Sequence, residues 1–213
     1  MRFRDRAHAG QLLAAELEEY SGRDDLVVLA LPRGGVPVAF EVARGLGAPL
    51  DVFPVRKLGV PGHEELAVGA IGPGGVRVTN PLVVAEARIG PDEIDAIAEL
   101  EARELERQER LYRGGRPPLE LGGRTAILVD DGLATGASMR AAALAASART
   151  PRQVVVAVPV AAESTARELS REVDRVVCVL TPPRFLAVGA WYEDFGPVSD
   201  DEVCGLLAAA STS

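Results

Sequence analysis

Four short stretches constrain this chain more than anything else in it: "LVVLAL" (26–31), "TAILVDD" (125–131), "QVVVAVPV" (153–160) and "RVVCVL" (175–180). Each carries a strand-length run of mostly branched apolar residues with little polar alternation. A strand with one face in water alternates, whereas one that is apolar throughout is covered on both faces. Helical patterns separate these runs: Val36, Ala39, Val42 and Leu46 before Gly47, an Ala-rich stretch over 137–148, and another over 163–171. Strands and helices in alternation predict an α/β fold, a doubly wound parallel sheet with helices on both faces. With 213 residues and 47% apolar side chains, one such domain has enough material for its core.

The remaining segments read less regularly. Ala9, Leu12, Leu13 and Leu17, with Glu16, Glu18 and Glu19 opposite, predict an amphipathic first helix ending near Gly22. "PLDVFPVRK" (49–57) reads as a strand in which Pro54 marks an edge or bulge, and "ELAVGAI" and "VRVTNPLVV" as short strands around "GPGG". Residues 91–113 hold the longest helical pattern, opened by Pro91 and supported by Glu99–Arg103, Glu106–Arg110 and Glu109–Arg113 at i,i+4. Arg103, Arg107, Arg110 and Arg113 read as its solvated face, from which one could reach a bound anion. The whole chain, 1–213, reads as one domain, with a core over about 24–180 and a small hood from 1–22 and 181–213.

Charge and cysteine usage exclude some functions. A net charge of −8 argues against a broad nucleic-acid surface and leaves room for a local basic pocket. Cys178 and Cys204 form no CxxC pair, so neither a disulfide framework nor a structural zinc site is suggested. No apolar stretch approaches membrane-spanning length, and the first twenty residues lack a signal-type apolar segment. The expectation is a soluble, cytoplasmic protein with no membrane or nucleic-acid partner, and a homodimer only by default.

In doubly wound sheets ligands bind at the carboxyl ends of the strands, and three unusual stretches fall there: "LPRGG", "VRK" and "DDGLATGAS". In the last, the N–H groups of Gly132 to Ala137 and the following helix N-terminus can form a nest for a phosphate. Thr135 and Ser138 add hydroxyl donors, while Gly132, Ala134, Gly136 and Ala137 permit close approach. An acid pair beside an anion nest is contradictory unless the ligand carries both a phosphate and hydroxyls. A ribose 5-phosphate carries both. The carboxylates of Asp130 and Asp131 can accept from the 2- and 3-hydroxyls and hold the water shell of a magnesium ion. No GxxxxGK[ST] loop is present, and no GxGxxG follows an early strand.

"ILVDDGLATGAS" (127–138) resembles the phosphoribosyl-diphosphate (PRPP) motif of the type I phosphoribosyltransferases. It departs at Gly132, where that family usually has a branched apolar residue, which predicts a looser loop. The resemblance implies that Asp130 and Asp131 bind the ribose hydroxyls and that Gly132, Leu133, Ala134, Thr135, Gly136, Ala137 and Ser138 surround the 5-phosphate. "LPRGG" resembles the family's pyrophosphate loop, which implies roles for Pro32, Arg33, Gly34 and Gly35 and a non-proline cis peptide between Pro32 and Arg33. "VRKLGVPG" resembles its basic diphosphate-contacting segment, which implicates Arg56 and Lys57.

The implied reaction is displacement at C1 of the ribose, with pyrophosphate leaving and a nitrogenous acceptor entering, in nucleoside and nucleotide salvage. Asp130, Asp131, Arg33 and Lys57 are its catalytic candidates, and Mg2+ its cofactor, held through PRPP and waters. Purine enzymes for 6-oxo bases usually have an acid where this chain has Ala134, which disfavours hypoxanthine and guanine. Arg184, Phe185 and Trp191 either contact the acceptor or pack the tail onto the sheet. The stretch 59–69 and the helix 91–113 compete as the mobile catalytic loop, with His63 a solvated loop residue. The competing reading is a PRPP-binding regulatory protein with little or no transferase activity.

Overall fold

The computed structural model describes residues 1–60 and 63–211, with residues 63–66 described for their backbone alone. From the N-terminus, α1 (Arg6–Glu16) precedes β1 (Leu26–Ala30), α2 (Gly35–Leu46) and β2 (Leu50–Val52). An excursion follows through β3 (Arg56–Val60), β4 (His63–Gly72), β5 (Val76–Thr79), α3 (Pro81–Ala87) and α4 (Pro91–Arg113). The chain returns through β6 (Thr125–Val129), α5 (Ala137–Ser147), β7 (Gln153–Val160), α6 (Glu163–Leu169), β8 (Arg175–Leu180) and α7 (Asp200–Ala210).

The apolar runs form one parallel sheet in the order β2-β1-β6-β7-β8, as their continuous hydrophobicity requires. Successive residues serve opposite faces. Val28 and Ala30 of β1, with Ile127 and Val129 of β6, meet α1, α2 and α7. Val27 and Leu29, with Ala126 and Leu128, meet α5 and Leu169 of α6. The small residues Ala142, Ala145 and Ala146 let α5 lie close against that face.

The excursion is where sequence and structure part. Residues 49–57 are not one strand: β2 ends at Val52, and beyond Pro54 the chain leaves the main sheet to start β3. Pro54 cannot donate to a sheet ladder, so it ends a strand here instead of marking an irregularity inside one. "VRVTNPLVV" is likewise divided, because the Asn80 side chain caps α3 by accepting from Leu82 and Val83, with Pro81 in the first turn. β3, β4 and β5 form a separate antiparallel sheet whose core, with Leu58, Val68, Ile71, Ile94 and Leu105, is sealed by α4.

Helix 91–113 has the expected bounds and two of its expected ion pairs, Glu106–Arg110 and Glu109–Arg113. Arg113 departs from the solvated-face expectation because it is buried. Its Nε donates to both oxygens of Asp51 at 3.1 Å and its Nη2 to the Val52 carbonyl at 2.6 Å, pinning the end of α4 to β2. The tail folds back beside the N-terminus, where Phe3 donates to the Trp191 carbonyl and accepts from the Glu193 N–H, both at 2.8 Å. No helix among the described residues is long and apolar enough to cross a membrane.

Candidate active site

The chain passes from β1 to β2 on one side and later to β6 on the other, so the strand order reverses between β1 and β6. A crevice opens beyond the carboxyl ends of such a pair. Residues 32–35 and 130–138 meet in it. The peptide between Pro32 and Arg33 is cis, as expected. Gly34 and Gly35 are there because nothing larger fits. A Cβ on Gly34 would lie 2.1 Å from Asp131 Oδ2, and one on Gly35 would lie 2.6 Å from the Val129 carbonyl.

The two acids are held in a defined way. Asp130 Oδ1 accepts from the Asp131 N–H at 2.8 Å. Asp131 Oδ2 accepts from Arg6 Nε at 2.9 Å, with both side chains largely buried. The Tyr192 hydroxyl donates to the Asp131 carbonyl at 2.6 Å. This leaves Asp130 Oδ2 and Asp131 Oδ1 with no protein donor among the described residues: one open oxygen on each acid. Burial raises the Asp130 carboxyl well above the usual carboxylate range, and the Asp131 charge beside it adds to the effect. Burial also raises Asp131, opposed by Arg6. Tyr192 is raised by its own burial and so stays a neutral donor.

The loop that follows is anchored at one end and open at the other. Leu133 is buried and pairs with β7, donating to the Val160 carbonyl at 2.9 Å and accepting from the Ala162 N–H at 3.0 Å. Gly136 turns the chain into α5 with φ +74°, a left-handed conformation that favours glycine. Thr165 donates to the Ala134 carbonyl at 2.7 Å and Arg140 to the Thr135 carbonyl at 3.0 Å. The N–H groups of Ala134, Thr135 and Gly136 have no protein acceptor among the described residues, and Ala134, Thr135 and Ser138 are exposed. The structure overturns the looser loop expected at Gly132. Val188 from the tail fills the space of the missing side chain, and a Cβ on Gly132 would lie 2.6 Å from its Cγ1.

The basic candidates divide into two groups. Arg33 is exposed, 3.8 Å from Asp200, which also accepts from the Tyr112 hydroxyl at 2.7 Å. Arg56 and Lys57 of β3 share a cavity of ≈ 430 Å³ with Ser138, so the second sheet closes on the start of α5. Arg56 there pairs with Glu101 of α4 at 2.6 Å. The acceptor candidates do not gather at the acid pair. Arg184 is exposed, while Phe185 and Trp191 pack against Phe3, Val160 and Tyr192. This packing holds the tail beside the N-terminal segment. Pro61 and Gly62, within the stretch 59–69 that competes as the mobile loop, lie outside the described residues, as does the side chain of His63.

Sequence reasoning missed Arg6, Tyr192 and Arg140. The first two reach the site only because both termini fold over the sheet, across separations of 125 and 61 residues. Arg140 carried a local signal, one turn into the helix that begins at Ala137.

The comparisons with known proteins agree with this fold. A family model described as "Phosphoribosyl transferase domain" matches residues 5–193. A Mycobacterium tuberculosis protein named "Putative phosphoribosyl transferase" is 49% identical over 208 residues, covering 98% of this chain and 47% of its own length. The chain thus spans about half the length of the curated relatives it matches. The crystal structure of the TT1426 protein of Thermus thermophilus is 46% identical, with a TM-score of 0.91, over 98% of this chain and 99% of that one. A hypoxanthine-guanine phosphoribosyltransferase of Bacillus anthracis shares the fold at 10% identity, with a TM-score of 0.50, over 86% of this chain and 84% of that one.

Proposed function

The chain belongs to the phosphoribosyl transferase family, and from that premise we propose that it transfers the 5-phosphoribosyl group of PRPP to a nitrogenous acceptor, releasing pyrophosphate. The observation that carries this reading is the acid pair. Asp130 Oδ2 and Asp131 Oδ1, each without a donor among the described residues, stand beside a loop whose Ala134, Thr135 and Gly136 N–H groups have no acceptor among them either. Two acceptor oxygens next to an anion nest suit a vicinal diol with a phosphate on the same sugar.

In this reading the 5-phosphate sits in the loop 132–138 and the ribose hydroxyls on the two acids. The diphosphate extends toward Gly34, Gly35 and the guanidinium of Arg33, with Arg56 and Lys57 bringing positive charge from the second sheet. Catalysis is then positioning and electrostatic stabilisation of the departing diphosphate. No protein nucleophile is needed. Among the described residues no group of three or more His, Cys, Asp or Glu could hold a metal unaided. The open oxygens of Asp130 and Asp131 suit the water shell of a magnesium ion that the substrate itself would mainly hold. When bound, magnesium would neutralise charge on the leaving diphosphate.

Ala134 places no carboxylate before Thr135, so the acceptor we favour is a base other than hypoxanthine or guanine. The two free, half-buried cysteines suit a reducing cytoplasm. The test is PRPP-dependent pyrophosphate release over a panel of purine, pyrimidine and related acceptors, with Asp130→Asn/Asp131→Asn as control. Turnover on one class that the double variant loses is expected. Stabilisation by PRPP and Mg2+ with no turnover on any acceptor would instead make the protein a PRPP sensor.

A further inference from the structure

Arg6 lies 125 residues from Asp131 in sequence, yet its side chain is held from three directions at the acid pair. Its Nε donates to Asp131 Oδ2 at 2.9 Å, its Nη1 to the Gly196 carbonyl at 2.8 Å, and its guanidinium stacks over the Phe195 ring at 4.0 Å. Phe195 in turn lies 4.9 Å from the ring of Tyr192, whose hydroxyl grips the Asp131 carbonyl. A surface arginine recruited only to neutralise a charge would not need a platform.

A carboxylate on a backbone fixed at both ends still turns about its last torsion, a broad and roughly two-fold one. A planar guanidinium that is itself immobilised selects one orientation. Here it takes Oδ2 and leaves Oδ1 uncommitted. We propose that Arg6 is a positioning residue for the ribose site: it fixes the Asp131 carboxylate with Oδ1 presented to the sugar, and the tail segment 192–196 fixes Arg6. The inference rests on the PRPP reading above and assigns the hood a part in it. The sugar's hydroxyls are recognised well only when Arg6 is docked on the tail, whereas the loop 132–138 is held by β7, α6 and Val188 and has no hydrogen bond to Arg6.

That separation supplies the test. Affinities of 1,4-anhydroribitol 5-phosphate, its 2,3-dideoxy analogue and inorganic phosphate are measured by calorimetry on wild type, Arg6→Leu and Arg6→Lys. Wild type should prefer the diol over the dideoxy compound by about a hundredfold, as expected for two charge-assisted hydrogen bonds. Arg6→Leu should lower that preference by about tenfold, corresponding to loss of one such bond, and leave inorganic phosphate unchanged. Arg6→Lys should recover part of it. An undiminished preference in Arg6→Leu overturns the inference, and so does a parallel loss of phosphate binding, which would make Arg6 merely structural. Wild type with no preference for the diol overturns the PRPP reading itself, and the inference with it.

Discussion

Asp130 is the residue at which stability and binding pull apart. Its carboxyl is held well above the ordinary range by burial and by Asp131, so the folded protein binds that proton more tightly than the unfolded chain. The sign follows from linkage: the native state is favoured below the ordinary carboxylate range and loses ground as pH climbs through the raised one. Asp130→Asn keeps an oxygen for the Asp131 N–H and removes the charge. We expect it to stabilise the ligand-free protein at pH 8 by about 1–3 kcal/mol, with the gap closing toward pH 4. Denaturant titrations at the two pH values check this, and a variant less stable than wild type at pH 8 would contradict it. At this scale the acid pair, the glycines and the turn 132–138 were readable, because small residues and adjacent carboxylates leave a local signature. Arg6 and Tyr192 left none. Their roles exist only once distant segments meet, as does the fit of Val188 over Gly132.

Among the elements, α4 shows why a helix pattern does not settle a helix's purpose. Its charges suggest a solvated rod, yet Arg113, only 4% exposed, fastens it to Asp51 on the edge strand of the main sheet. Asp51 also accepts from the Leu119 N–H, so one carboxylate ties down both the end of α4 and the linker behind it. Removing one partner leaves a buried charge unmatched. Arg113→Met should therefore cost about 3–5 kcal/mol in urea unfolding, and adding Asp51→Asn should return part of it. A loss below about 1 kcal/mol would show that solvent reaches the pair. The parallel strands were legible because uninterrupted branched apolar runs fit little else. The second sheet was legible only in part: 65–71 and the start of 76–84 read as strands and are β4 and β5, but β3 was merged with β2 across Pro54, so a separate antiparallel sheet had no signal. Asn80-Pro81 nevertheless carried a capping signal that would have separated β5 from α3.

The whole molecule assembles one crevice from Arg6, residues 32–35, residues 130–138 and the tail around Tyr192, with Arg56 and Lys57 approaching from the second sheet. The overall charge of −8 does not by itself oppose an anionic ligand, because Arg33 follows β1 directly and Arg56 and Lys57 face Ser138 across a shared cavity. Such a site is only as good as the packing of the termini over it. The decisive observation is a crystal soaked with PRPP and magnesium. The ribose diol should lie on Asp130 Oδ2 and Asp131 Oδ1, with the 5-phosphate in the loop 132–138 and the diphosphate toward Gly34 and Gly35. A sugar bound elsewhere, or one whose hydroxyls face solvent while both carboxylates keep their present partners, would contradict it.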